Sequence, residues 1–477
     1  MPPTYSTTRP NPPARTSRGA RWAGPVRPVS EMASSGVTRC LASGPEHRSL
    51  DRQIWALAGP AVLTLASEPL YLLADTAIVS RIGTEALGAL ALGSAVVLFS
   101  TSVLVFLTFG TAATVARLVG AGRPRDAASM SVQGVWFGAG LGLLAALVLW
   151  PAAPWVLERF GAGSGVEADA LTYLHVSLWG LPAVTVTMAG TGALRGHLDT
   201  RTPLVVAVGT NTLNVVLTLV LVAGLDQGIG GAAAGTVVAK VVSAVAYAVI
   251  VVGLARRNDA GLRPDPQHIG SLAVVGRDIF VRTVALRASL TITVSLAARK
   301  GAAALAAYQV AFQVWTALAY VLDALEAAAQ SLVAKALGAR DTGLAGRTAG
   351  RILGWAVGAG LVLGALTALG SPWVARAFAP EPAVYDLLVV SLVWVAVLQP
   401  LNGVAFALDG VLVGAGDQRY LAFAMLGSLA VVTLGALVVS QPSYGLTSLW
   451  ILLGAFMASR VVVLGARFRT DRWKHVG

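Results

Sequence analysis

Charge is what this chain has least of. Asp, Glu, Lys and Arg make up 12 % of its 477 residues, about half the share typical of a soluble domain. So few charges do not cover a soluble surface of this length, which excludes a soluble enzyme and a disordered regulator. Cysteine is nearly absent. Cys40 stands alone, which rules out an intramolecular disulfide framework and a cysteine metal cluster. Acids are the scarcer sign, 23 against 35 Lys and Arg, for a net charge of +12. Such a balance often marks a nucleic-acid binder, but the placement of the basic residues gives it another cause. Enzyme signatures are missing too. The chain has no GxxxxGK[ST], HExxH, GxSxG or GxGxxG pattern, and no nucleophile–base or metal pair stands out, so it does not read as an enzyme and calls for no cofactor.

What the chain does have is long apolar runs. Hydrophobic residues reach 56 % and the mean hydropathy is +0.71. Twelve segments approach or exceed the ~18–20 residues that cross a hydrocarbon core: 54–80, 86–116, 127–153, 170–194, 203–224, 229–255, 272–298, 304–334, 345–370, 384–413, 420–440 and 446–465. The expected fold is all-α, a polytopic membrane protein of twelve transmembrane helices. Residues 1–53, rich in Arg, Pro and Ser, read as a disordered basic tail with no secretory signal; Met32 is an alternative start. Residues 256–271 read as a linker and 466–477 as a second tail.

Lys and Arg are divided unevenly between the connections. One side, with both tails, holds 27 and the other holds five: Arg81, Arg159, Arg299, Lys300 and Arg376. By the positive-inside rule both termini are cytoplasmic, which needs an even number of spans. The basic excess then faces a cytoplasmic leaflet, and nucleic acid is not needed as a partner.

The two halves also repeat at one constant offset of 218 residues. Pro154-Trp155-Val156 falls on Pro372-Trp373-Val374, Val115-Ala116-Arg117 on Val333-Ala334-Lys335, Gly120-Ala121 on Gly338-Ala339, and Pro182 on Pro400. A series at one offset argues for duplication. Residues 54–255 and 272–465 become two pseudo-symmetric six-helix lobes, inserted in the same sense and related by an axis along the membrane normal, an arrangement typical of transporters.

Ionisable groups within apolar segments are expensive and point to function. In the first segment Glu68 and Asp75 are seven residues apart. Seven residues turn a helix by about 700°, which puts both on one face roughly 10 Å apart, with Tyr71 between them. Pro60 and Pro69 allow this helix to bend. The group reads as a proton or cation site; the alternative is a carboxylate neutralised by Lys240 or Arg287. Asn211, Asn214 and Thr218 in the fifth segment, with Thr236 and Lys240 in the sixth, can complete a pocket or serve only as interhelical polar packing. The second half holds Arg287, Asp323, Glu326, Asn402 and Asp409, expected to include an ion pair of Arg287 with one of these acids. Position 75 maps onto Thr293, so the lobes differ chemically. Gln133 and His175 read as packing residues.

Several stretches resemble the multidrug and toxic compound extrusion (MATE) transporters. They are Leu72-Leu73-Ala74-Asp75-Thr76-Ala77-Ile78-Val79 with Gly83 and Leu87, Phe109-Gly110-Thr111 through Gly120-Ala121, and Gly192-Ala193-Leu194-Arg195-Gly196-His197-Leu198-Asp199-Thr200. Tyr320-Val321-Leu322-Asp323 and Ala407-Leu408-Asp409-Gly410 look most like the family's DNA-damage-inducible F branch. The resemblance implies export of amphipathic, often cationic, compounds in exchange for H⁺ or Na⁺. It makes Asp75 the coupling carboxylate, with Tyr71 and Glu68 near it, and matches Asn214 and Thr236 to family positions. Thr218 and Asn402 stand where other branches carry Asp, which favours protons over sodium.

The expectation is therefore a proton-coupled antiporter in the inner membrane, working as a monomer on a small organic substrate. The alternatives are a sodium-coupled antiporter, a lipid-linked precursor flippase and a non-transporting membrane scaffold.

Overall fold

The computed structural model describes residues 45–159, 166–379, 381–441 and 443–475. Residues 1–44, most of the expected basic tail and the location of Met32 and Cys40, lie outside the described residues. Helix α1 spans Pro45–Val79, so residues 45–53 belong to the first helix and not to a tail. Helices α2 (Thr84–Leu104) and α3 (Phe106–Gly120) form one crossing interrupted at Val105. They are followed by α4 (Pro124–Arg159), α5 (Glu167–Leu178), α6 (Leu181–Gly196) and α7 (Arg201–Thr218). A π-helical turn, Leu219–Gly224, continues α7 and leads to α8 (Gly228–Arg257). The second half comprises α9 (Pro266–Ala298), α10 (Ala302–Gly338), α11 (Thr342–Phe378), α12 (Pro382–Gly414), α13 (Gln418–Val439) and α14 (Thr447–Arg469). The connection between the halves is thus 258–265, shorter than the expected 256–271, and α14 runs past 465. No strand occurs among the described residues.

Among the described residues eleven stretches are long and apolar enough to cross a membrane. The expected fourth segment, 170–194, is not one helix but the pair α5 and α6, broken at Trp179-Gly180. Proline alone does not explain the break. Pro182 begins α6, yet its repeat counterpart Pro400 lies inside the uninterrupted α12. One difference at the break itself is Gly180, which falls on Leu398. A Cβ at 180 would stand 3.0 Å from the Ser177 carbonyl oxygen and 3.2 Å from the Val237 side chain on α8.

The repeat is visible in the backbone. Left-handed or otherwise positive φ recurs at Gly83 and Gly301, at Gly122 and Arg340, and at Leu198 and Gly416, each pair 218 apart. The crossing of α3 and α10 is reciprocal. A Cβ on Gly120 would strike the Lys335 carbonyl, and one on Gly338 would strike the Arg117 carbonyl. Residues 117 and 335 are themselves repeat mates, so this crossing has the self-complementary pattern of a two-fold contact.

Burial divides the molecule by depth. One core cluster joins the halves at the end that carries the 258–265 connection: Ile54 and Leu57 of α1 and Leu107 of α3 pack with Val333 of α10, Ile352 of α11 and Leu412 of α12. At the far end the cores are separate. One, around Leu157, Leu174 and Leu181, belongs to the first half; the other, around Tyr308, Trp450 and Phe456, to the second. The linker end is therefore shut and the far end is divided.

Polar contacts reinforce the shut end. Arg351 of α11 grips Asp51 of α1 with Nε and Nη2, both at 2.6 Å, and Trp355 Nε1 donates to the same carboxylate at 2.8 Å. Trp55 meets Trp355 edge to face at 5.3 Å. Gln133 fixes the connection, donating to the Arg263 carbonyl at 3.0 Å and accepting from Asp265 N at 2.8 Å. Asp265 caps α9; the bond from His268, with that from the Gln267 backbone, holds its carboxyl below the usual carboxylate range. Gln133 is thus a packing residue, as is His175, whose ring meets Trp150 edge-on at 4.7 Å.

Candidate functional site

The first-half polar residues converge where α1, α7 and α8 meet. Glu68, Tyr71 and Asp75 do share a face of α1, as their spacing requires. Asp75 is only 3 % exposed. Its Oδ1 has no hydrogen-bond partner among the described residues, and the Thr218 hydroxyl of α7 stands beside the carboxyl, within reach of a weak bond to it. Thr218 ends the α-helical part of α7, and the π-helical turn begins at the next residue. Gly235 of α8 lets α7 approach closely there, since a Cβ would lie 3.1 Å from the Thr218 nitrogen. Asn214 donates to Thr236 Oγ1 at 2.9 Å, and its own Oδ1 is buried without a partner. Asn211 reaches back to Ser67 Oγ of α1 at 3.0 Å.

Lys240 of α8 stands 4.0 Å from Glu68 Oε1, with side-chain exposures of 24 % and 55 %. Its ammonium lies over the Tyr71 ring, 5.1 Å from the centroid. Across the divide, Tyr320 of α10 is within electrostatic reach of Glu68, Asp323 and Arg287. The group therefore faces the other half. Tyr173 of α5 also lies within reach of Asp75 and Tyr71. Sequence reasoning missed it, because an unbroken fourth helix gives no reason to single it out.

The second half is built differently. Arg282 of α9 lies 2.7 Å from Asp409 of α12 and 3.4 Å from Glu326 of α10. Arg460 of α14 also contacts Asp409. All four side chains are at most 6 % exposed. The expected partner, Arg287, is exposed and forms no ion pair among the described residues. Sequence reasoning missed Arg282, because it follows closely on the basic residues of the linker end. It in fact lies well inside α9, which starts at Pro266. Asn402 is buried with a free Oδ1, and Asp323 is half-buried without an ion pair among the described residues. At Thr293, the counterpart of Asp75, Tyr308 donates to the hydroxyl at 2.7 Å. The counterpart position is thus satisfied, whereas Asp75 is not.

Irregular backbone follows the same asymmetry. The break at Val105, the break at Trp179-Gly180 and the π-helical turn after Thr218 all lie in the first half; the counterparts of the two breaks, in α10 and α12, are continuous. Non-helical backbone at membrane depth is tolerated where it lies within protein or lines a cavity, and π-helical turns favour functional sites. Among the described residues no group of acidic, His and Cys side chains is placed to hold a metal.

The sequence profile of one family, MatE, matches residues 60–220 and 279–439, two segments again related by the repeat. "Protein DETOXIFICATION 44, chloroplastic" of Arabidopsis thaliana is 30 % identical over 88 % of this chain and 83 % of its own length. "DNA damage-inducible protein F" of Escherichia coli is 28 % identical over 90 % and 94 %. A solved MOP-superfamily transporter from Pyrococcus furiosus superposes with a TM-score of 0.79, covering 92 % of this chain and 97 % of its own at 21 % identity. At that identity the superposition speaks for the fold alone.

Proposed function

Because this chain belongs to the MatE family of membrane transporters, we propose that it exports amphipathic, cationic organic compounds in exchange for protons by alternating access. Asp75 carries the reading: a buried carboxylate with one oxygen unpartnered, on a helix holding two internal prolines, beside irregular backbone. A proton is the smallest partner that settles such a group, and a bendable α1 connects its arrival to cavity shape. Substrate occupies the divide lined by Glu68, Tyr71 and Lys240 on one side and Tyr320 on the other. Sodium is disfavoured, because Asp409 and Glu326 are already engaged by two arginines, which leaves Asp323 alone of the three candidate second-half acids without an ion pair among the described residues. The linker end is cytoplasmic, the membrane is the bacterial inner membrane, and the monomer is the working unit.

Proteoliposomes test this directly. An imposed pH gradient should drive uptake or release of a fluorescent organic cation, and an equal sodium gradient should not. Movement on sodium alone would overturn the coupling; movement on neither would overturn export of cations.

Alternating access requires the shut end to open. The Asp51–Arg351–Trp355 contact then acts as a latch. Hydrogen bonds to charged groups contribute about 1.5–3 kcal/mol, so Asp51→Asn should shift the equilibrium towards the open linker end by roughly tenfold or more. Spin labels in the turns at 198–200 and 415–417 would report a larger long-distance population; an unchanged distribution would remove the latch from the cycle.

A further inference from the structure

The first-half polar group already contains a cation. The Lys240 ammonium stands at the two features an organic cation would use, the Tyr71 ring face at 5.1 Å and the Glu68 carboxylate at 4.0 Å. Aromatic faces attract cations through the ring quadrupole, and a carboxylate at this distance adds ordinary Coulomb attraction. We infer that Lys240 is a tethered stand-in for the substrate cation, which an incoming cation must displace from Tyr71 and Glu68, so that Lys240 sets the charge selectivity of the site. This rests on the export reading above and specifies its binding step.

Three observations favour displacement over a fixed structural pair. The ion pair is at the outer limit of contact distance and half in the open, with Glu68 55 % exposed. Such pairs are weak and easily exchanged. Lys240 makes no hydrogen bond among the described residues, unlike Asn211 and Asn214, which tie the same helices together directly. The repeat counterparts of Glu68, Tyr71 and Lys240 are Leu286, Ser289 and Ala458, so the arrangement has no structural duty common to both lobes. A tethered ammonium also balances Glu68 when the site is empty. A lysine on a flexible stem can swing aside, which a fixed dipole cannot.

The consequence is a penalty on simple monocations. A cation that displaces Lys240 leaves the ammonium to find water or a substrate acceptor, so molecules carrying an acceptor beside their positive charge are favoured. The test is equilibrium binding of tetraphenylphosphonium, a cation with no acceptor, to the full chain in nanodiscs. Lys240→Met keeps the stem and removes the charge. It should bind this probe about tenfold more tightly than the native chain, which corresponds to about 1.4 kcal/mol. Lys240→Arg should bind like the native chain, and Glu68→Gln in the Lys240→Met background should reverse the gain. Equal or weaker binding by Lys240→Met, with the native chain binding normally, would overturn the inference and leave cation export standing. Binding by neither native chain nor Lys240→Met would overturn both, because the site without its lysine must accept a cation if it is a cation site at all.

Discussion

Asp75→Asn is expected to abolish pH-driven transport of an organic cation and to leave the protein folded. Asparagine keeps the shape of a protonated carboxyl and lacks the proton to give up, so the first half is held in one of its two charge states. Transport in proteoliposomes is expected to fall to the rate of empty vesicles, while yield and melting behaviour stay near those of the native chain. The fold is spared because Asp75 has no ion-pair partner to strand among the described residues: Oδ1 has no hydrogen-bond partner there, and an asparagine still offers an oxygen to the Thr218 hydroxyl beside it. Energetics fix a second readout. One proton moving down one pH unit yields about 1.4 kcal/mol, enough for about a tenfold gradient of a monovalent cation when the charges exchanged are equal. A second proton, carried by Glu68, would make the exchange electrogenic and add about 2.3 kcal/mol per 100 mV. Accumulation that is insensitive to membrane voltage assigns the coupling to Asp75 alone; native rates in Asp75→Asn would sink the assignment.

Most of this site was legible because a helix turns spacing into geometry. Glu68, Tyr71 and Asp75 are separated by three and four residues, and that spacing by itself puts them on one face. Asn214 and Thr236 fell together for a similar reason, since both lie on polar stripes of otherwise apolar helices. The duplication was equally legible, and the positive-φ pairs repeat its offset. What escaped was set by local backbone or by depth. Gly180 stands where the repeat has Leu398; the fourth crossing breaks there, and Tyr173 of the separate α5 lies within reach of Asp75. Arg282 escaped because hydropathy locates the edge of an apolar run and not the start of its helix. Helix α9 begins at Pro266, so a residue close in sequence to the surface charges lies buried between α10 and α12.

The same substitution in the other half should have the opposite effect. Asp409 holds Arg282 and Arg460 together, and with Glu326 the four buried groups balance as two cations and two anions. Asp409→Asn leaves two guanidinium groups facing one carboxylate, away from water. Breaking a buried ion pair by removing one partner costs about 3–5 kcal/mol, so the variant should lose several degrees of melting temperature and much of its yield. Restoring the balance should recover it. Asp409→Leu with Arg460→Met leaves Arg282 opposite Glu326, and a buried pair replaced by apolar groups is often close to neutral in stability. Thermal unfolding in nanodiscs distinguishes the cases, and a single variant as stable as the native chain would show that the network does not hold the second lobe. The two aspartates therefore separate by what surrounds them. Asp409 is matched by fixed charges and gives its lobe rigidity; Asp75 has a free oxygen, lies beside irregular backbone, and is left for a mobile charge. Under the proposed alternating access, the arginine-braced second lobe would turn as a unit while the interrupted helices of the first bend around Asp75.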